Sequence, residues 1–134
     1  MENNLKSNGY NGLTLAYIGD AVFELYIREF VISKGNSKVN NIHKLTTGYT
    51  SGVNQAKFIH YFLNNNLLSE YEIALYKRGR NSHISTTRRN MDMQTYLDAT
   101  GFEALIGGLY VDNNISRLEE LISIIEKGVD WNDC

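Results

Sequence analysis

Apolar residues recur at intervals of three and four along most of this chain, and no segment shows the strict alternation of a half-buried strand. From 13 to 33, Leu15, Ile18, Val22, Leu25, Tyr26 and Phe30 predict a long, mostly buried helix that stops at Lys34-Gly35-Asn36. A short helix is expected over 38–44, and Val53, Ala56, Phe58, Ile59 and Phe62 mark another over 51–63, broken by Asn64-Asn65-Asn66. Ser69-Glu70-Tyr71-Glu72 has the spacing of a capping box, as does Ser116-Arg117-Leu118-Glu119 ahead of a last amphipathic helix reaching about Lys127. Between them, 92–111 is helical through Met93, Leu97, Ala104 and Leu109. Proline is absent, which leaves long helices uninterrupted. The chain reads as all-α, with about six or seven helices, no internal repeat and one domain over 1–134.

A chain of 134 residues matches about one domain, and 43% hydrophobic residues supply its core. Thirteen Lys and Arg against fifteen Asp and Glu give a formal charge of -2, so a histone-like polybasic binder is excluded. Any grip on a polyanion must come from local clustering. The single cysteine, Cys134, forms neither an intramolecular disulfide nor a cysteine-based metal site, which fits a reducing cytosol. The start, Met1-Glu2-Asn3-Asn4-Leu5-Lys6, lacks the pattern of a secretory signal, and no stretch approaches a membrane span, so a cytoplasmic protein is expected. The sixteen asparagines are read as composition bias and carry no functional weight.

Phosphate-loop, zincin and nucleophile-elbow motifs are missing, and His43, His60 and His83 share no ligand spacing. The chemistry lies in carboxylates. Asp20, in Tyr17-Ile18-Gly19-Asp20-Ala21-Val22-Phe23, stands inside an apolar helix, where Asp is unfavourable and the adjacent Gly costs about 1 kcal/mol against Ala. The glycine admits another backbone or a ligand, and a carboxylate among apolar neighbours needs either a bound cation or a basic side chain. A second carboxylate, Glu103, lies in Thr100-Gly101-Phe102-Glu103-Ala104-Leu105-Ile106-Gly107-Gly108-Leu109-Tyr110. Thr100-x-x-Glu103 also fits a capping box, whereas Asp92, Tyr96, Ala99 and Glu103 fall on one stripe of a continuous helix. Carboxylates converging from two helices are what a hard divalent ion such as Mg²⁺ takes.

Lys77-Arg78-Gly79-Arg80-Asn81-Ser82-His83-Ile84-Ser85-Thr86-Thr87-Arg88-Arg89 gathers five of the thirteen cations without an acid. It reads as a mobile loop that contacts phosphates through Lys and Arg and sugar hydroxyls through Ser, Thr or Asn, or else as a solvated surface loop. An acidic metal site beside a basic segment points to phosphodiester chemistry.

Leu15-Ala16-Tyr17-Ile18-Gly19-Asp20-Ala21-Val22 resembles the ribonuclease III signature, and Phe102-Glu103-Ala104-Leu105-Ile106-Gly107-Gly108-Leu109-Tyr110 resembles that family's second acidic helix, in the same order and spacing. With Lys77-Arg78-Gly79-Arg80-Asn81, Thr100-Gly101-Phe102-Glu103 and no following double-stranded-RNA-binding domain, the chain is similar to the stand-alone bacterial group called mini-ribonuclease III over about residues 10–127. The resemblance implies an all-helical homodimeric endonuclease that uses Mg²⁺ to cut double-stranded RNA, leaving 5′-phosphate and 3′-hydroxyl ends. It further implies a role in maturing large-subunit ribosomal RNA precursor, with Asp20 and Glu103 as catalytic metal ligands and Lys77, Arg78, Arg80, Asn81, Arg88 and Arg89 as RNA contacts.

The sequence departs from full-length ribonuclease III at Leu13 and Ala16, where that family has glutamates, and at Thr100, where it has an aspartate. Asp92 and Glu24 are the carboxylates that could replace them, although Glu24 is also spaced for a helix ion pair with Arg28. The competing expectation is a catalytically inactive helical dimer acting as an RNA or ribosome-binding module, which the missing carboxylates favour and the presence of both Asp20 and Glu103 opposes. A helical interaction protein without nucleic acid leaves the acid-free basic segment unexplained.

Overall fold

The computed structural model describes residues 5–35, 38–82 and 92–128. A 3₁₀ turn, Lys6–Gly9, leads into α1 (Gly12–Ser33), α2 (Val39–Thr50), α3 (Gly52–Asn64), α4 (Glu70–Arg80), α5 (Met93–Val111) and α6 (Ile115–Glu126). No strand occurs among the described residues, as the periodicity requires.

Short polar side chains set most of the helix starts. Asn11 accepts from the Thr14 N–H at 2.8 Å to cap α1, Ser51 caps α3, and Asp92 accepts from the Thr95 N–H at 2.8 Å to cap α5. Ser69 and Glu72 form the reciprocal capping box expected for α4. The box expected at Ser116 does not form. The chain leaves α5 through Asn113, at φ 58°, and α6 begins at Ile115 after Asn114, which makes no side-chain cap bond. Ser116 is therefore already inside the helix.

Helix α5 is the axis of the molecule. From Asp98 to Leu109 every residue except Glu103 is buried, and the helix packs against α1, α3, α4 and α6. Phe102 sits at the centre, its ring 5.0 Å from Phe23 of α1 in an edge-to-face contact and 5.9 Å from Phe58 of α3. Leu15 and Ile27 of α1, Phe62 of α3, Leu75 of α4, Leu105 and Leu109 of α5, and Leu118, Leu121 and Ile125 of α6 complete a single core.

Four expectations need correction. Helix α1 is not mostly buried: Leu15, Gly19, Phe23, Ile27 and Val31 face the core, while Tyr17 is 82% and Leu25 59% exposed. A helix with apolar residues on two faces satisfies the periodicity yet can turn one face outward. Val53 and Met93 likewise lie on exposed faces. Helix α2 continues past Lys44 to Thr50. Finally, Lys77 to Arg80 form the last turn of α4 rather than a loop. Gly79 holds that turn against α5, where a Cβ would stand 2.5 Å from Ala104 Cβ and 2.8 Å from the Thr100 carbonyl oxygen. His83, Arg88 and Arg89 lie outside the described residues. No helix among the described residues is long and apolar enough to cross a membrane.

Candidate functional site at the crossing of α1 and α5

Helices α1 and α5 meet backbone to backbone. A Cβ on Gly19 would lie 1.8 Å from the Glu103 carbonyl oxygen, and one on Gly107 would lie 1.9 Å from the Leu15 carbonyl oxygen. The glycine beside Asp20 therefore admits a neighbouring backbone, one of the two roles its position allowed. The crossing places residue 20 of one helix next to residue 103 of the other. Asp20 and Glu103 line one cavity of about 30 Å³ together with Thr50, Gly52, Gln55, Tyr96, Ala99 and Thr100. That volume holds a small ion with a water, not a base or a sugar.

Asp20 is exposed, which corrects the expectation of a carboxylate enclosed by apolar helix. Its apolar neighbours Phe23 and Ala16 point inward while Asp20 opens onto the surface of α1. Glu103 is half-buried in an otherwise buried stretch of α5. The capping-box reading of Glu103 fails, because α5 runs unbroken through Thr100, whose hydroxyl donates to the Tyr96 carbonyl at 2.9 Å. Glu103 is thus a helix-interior carboxylate turned toward α1.

The positions where full-length ribonuclease III carries further carboxylates offer none. Ala16 is buried, Leu13 is 43% exposed, and Thr100, among the residues lining the cavity, carries a hydroxyl rather than a carboxylate. Among the described residues no group of three or more His, Cys, Asp or Glu is placed to hold a metal. Two carboxylates with hydroxyl and amide groups around them still suit Mg²⁺, which binds one or two carboxylates and keeps several waters.

Asp92 stands outside the cavity. It is the N-cap of α5, and the Thr95 N–H and Thr95 hydroxyl that donate to it hold its carboxyl below the usual range. Eleven residues separate it from Glu103, so at 1.5 Å per residue a shared stripe still leaves them about 16 Å apart. Glu24 pairs with Arg28 on the surface of α1, the ion pair its spacing allowed.

The described cations of the basic segment divide. Lys77 and Asn81 are exposed. Arg78 donates to the carbonyl oxygens of Ser7 and Tyr10 and so clamps the 3₁₀ turn at the entrance to α1. The same turn is tied to α5 by the Ser7 N–H and hydroxyl, each donating to Asp112 at 2.7 Å. Arg80 donates through Nε to Asp98 at 2.8 Å and through Nη2 to Gln94.

Sequence reasoning missed Asp98. This buried carboxylate also accepts from the Tyr76 hydroxyl at 2.8 Å and pairs with His60 Nε2 at 2.7 Å, joining α3, α4 and α5. Burial and the bond to Asp98 push the Tyr76 hydroxyl up to about 12. Gln55 was missed as well, although a polar residue on the buried stripe of Gly52, Ala56 and Ile59 is itself a signal.

The Ribonuclease III domain model matches residues 13–114, a span that includes both carboxylates. The chain is 46% identical over 113 residues to the mini-ribonuclease 3 of Enterococcus faecalis, covering 84% of this chain and 86% of that one. It is 45% identical over 116 residues to the mini-ribonuclease 3 of Streptococcus pneumoniae, covering 87% and 91%. A crystal structure of a protein from Fusobacterium nucleatum superimposes with a TM-score of 0.80 at 30% identity, covering 89% of this chain and 95% of that one.

Proposed function

The chain belongs to the mini-ribonuclease III group of the ribonuclease III family of endoribonucleases, and on that premise we propose that it cuts double-stranded RNA with a divalent ion, Mg²⁺, held by Asp20 and Glu103. The observation that carries this reading is their shared cavity at the α1–α5 crossing. A bound divalent ion supplies Lewis acidity toward the scissile phosphate and makes water a nucleophile near neutral pH. Asp20, exposed at the lip, provides the carboxylate closest to solvent, and Glu103, half-buried, provides one fixed by the core beneath it. The close backbone contact at Gly19 sets their separation, so the scaffold supplies the positioning. No Ser, Cys or His nucleophile is required.

The second part of the proposal is a homodimer. Tyr17, Ile18, Ala21, Leu25 and Tyr110 form an apolar face beside Asp20, with Tyr17 82% and Leu25 59% exposed. A second copy seated on that face buries it and presents two sites to one duplex. The RNA contacts are proposed on Lys77, Asn81, Arg88 and Arg89, with Arg78 and Arg80 engaged instead by the 3₁₀ turn and by α5. The biological substrate proposed is large-subunit ribosomal RNA precursor, and the compartment is the cytoplasm. The test is incubation of a structured duplex RNA with and without Mg²⁺. Cleavage only with the ion, leaving 5′-phosphate ends, supports the reading, and Mg²⁺-insensitive binding without cleavage supports the non-catalytic RNA module instead.

A further inference from the structure

We propose that Gln55 is a positioning residue of the cation site, its side-chain amide held for the oxygen of a water that enters the cavity with the ion. This rests on the reading of Asp20 and Glu103 as ion ligands. Three observations support it. Gln55 is 2% exposed, and its Nε2 has no hydrogen-bond partner among the described residues. It lines the same cavity as Asp20 and Glu103. That cavity, about 30 Å³, has room for a small ion with a water and for nothing much larger.

A buried amide donor without an acceptor costs stability, because the group has lost its water and gained nothing in return. A purely structural glutamine on the buried stripe of α3 would be bonded to a neighbouring carbonyl or hydroxyl. Such an unpaired donor is explained when an acceptor arrives with a ligand. Asp20 and Glu103 bring the acceptors to the cavity, and an amide N–H on a third helix can donate to a water between them, which neither carboxylate can do. Gln55 sits on α3, four residues into the helix that Ser51 caps, so its position is fixed by an element separate from the two that carry the carboxylates. Supporting groups of this kind commonly change ion affinity by 10–100-fold when removed.

One expected outcome is of unusual sign. Gln55→Met keeps the length of the side chain and removes the unpaired donor, so the ion-free protein should melt no lower than wild type. Its affinity for Mg²⁺, measured by calorimetry, should nevertheless fall about tenfold. In wild type, the Gln55 side-chain amide signals in a ¹⁵N–¹H spectrum should shift on addition of Mg²⁺ and gain protection from exchange, and the same titration of Asp20→Asn should leave them in place. The spectrum decides the question even where the Met variant fails to fold. Wild type that binds Mg²⁺ while the Gln55 signals stay fixed, or a folded Met variant with unchanged affinity, overturns the role of Gln55 and leaves the two-carboxylate site standing. Wild type that binds no Mg²⁺ overturns the cation site itself and this proposal with it.

Discussion

Gly19 lies so close to Glu103 that any Cβ at position 19 would stand 1.8 Å from the Glu103 carbonyl oxygen. The neighbour is backbone and cannot move aside without shifting α5. Gly19→Ala gains about 1 kcal/mol of helix propensity but forces the two helices apart. A net loss of up to about 2 kcal/mol is expected, read as a lower urea midpoint, with cleavage reduced further than stability because the two carboxylates separate.

Glu103→Gln separates chemistry from scaffold. The residue caps nothing, since α5 passes straight through it. The melting temperature should stay within a few degrees of wild type while cleavage of duplex RNA falls by orders of magnitude. Full activity in a folded Gln variant would remove Glu103 from the site.

Asp98 ties its own helix to two others, and Asp98→Ala leaves the Tyr76 hydroxyl and the Arg80 guanidinium without their acceptor. A loss of roughly 3 kcal/mol is expected by denaturant unfolding, since the removed partner is buried. Asp98 is not among the residues that line the cavity, so any fall in activity should follow stability rather than exceed it.

Glu72 gives the pH dependence. Burial alone would raise its carboxyl, but the guanidinium of Arg117, donating through Nε at 2.7 Å, together with the Ser69 N–H at 2.8 Å, holds it below the usual carboxylate range. A depressed folded value contributes stability that is fully present above the unfolded carboxylate range, about 4.3, and is lost as pH falls through the folded value. The melting temperature of wild type should therefore exceed that of Glu72→Gln most at neutral pH, and the gap should close below about pH 4.

The helices were legible because their apolar period is a property of the main chain's geometry, and the capping box at Ser69 because both of its members lie within four residues. The signature carboxylates were legible as residues out of place: Asp20 beside a glycine, Glu103 in an apolar run. Which face of α1 turns outward was not, since Leu25 and Ile27 are equally apolar and tertiary packing chooses between them. Nor were the partners of Arg78 and Arg80. Clustered charge reads the same whether a guanidinium meets solvent or the carbonyls of Ser7 and Tyr10, more than sixty residues away. Gln55 stands out in the sequence only as a polar residue on a buried stripe, and its place beside the carboxylates comes from the packing of α3 on α5.

RNA binding can be tested without disturbing those clamps. Replacing Lys77, Arg88 and Arg89 with Ala in an Asp20→Asn background should weaken duplex affinity and flatten its salt dependence, by up to about 0.9 in log–log slope for each phosphate that is no longer neutralised. Replacing Arg78 or Arg80 should instead lower the melting temperature. An unchanged slope in the triple variant would place the RNA-binding surface elsewhere on the molecule.

On the proposed mechanism cleavage depends above all on Asp20 holding the ion, and the most direct measurement is single-turnover cleavage of a duplex RNA by Asp20→Asn in saturating Mg²⁺. Asn keeps the shape of the side chain and removes its charge at an exposed position, so the protein should fold and bind duplex as wild type does. The cleavage rate is predicted to fall by several orders of magnitude. A folded Asp20→Asn protein that cuts duplex RNA at close to the wild-type rate would contradict the assignment of Asp20 as an ion ligand and the mechanism built on it.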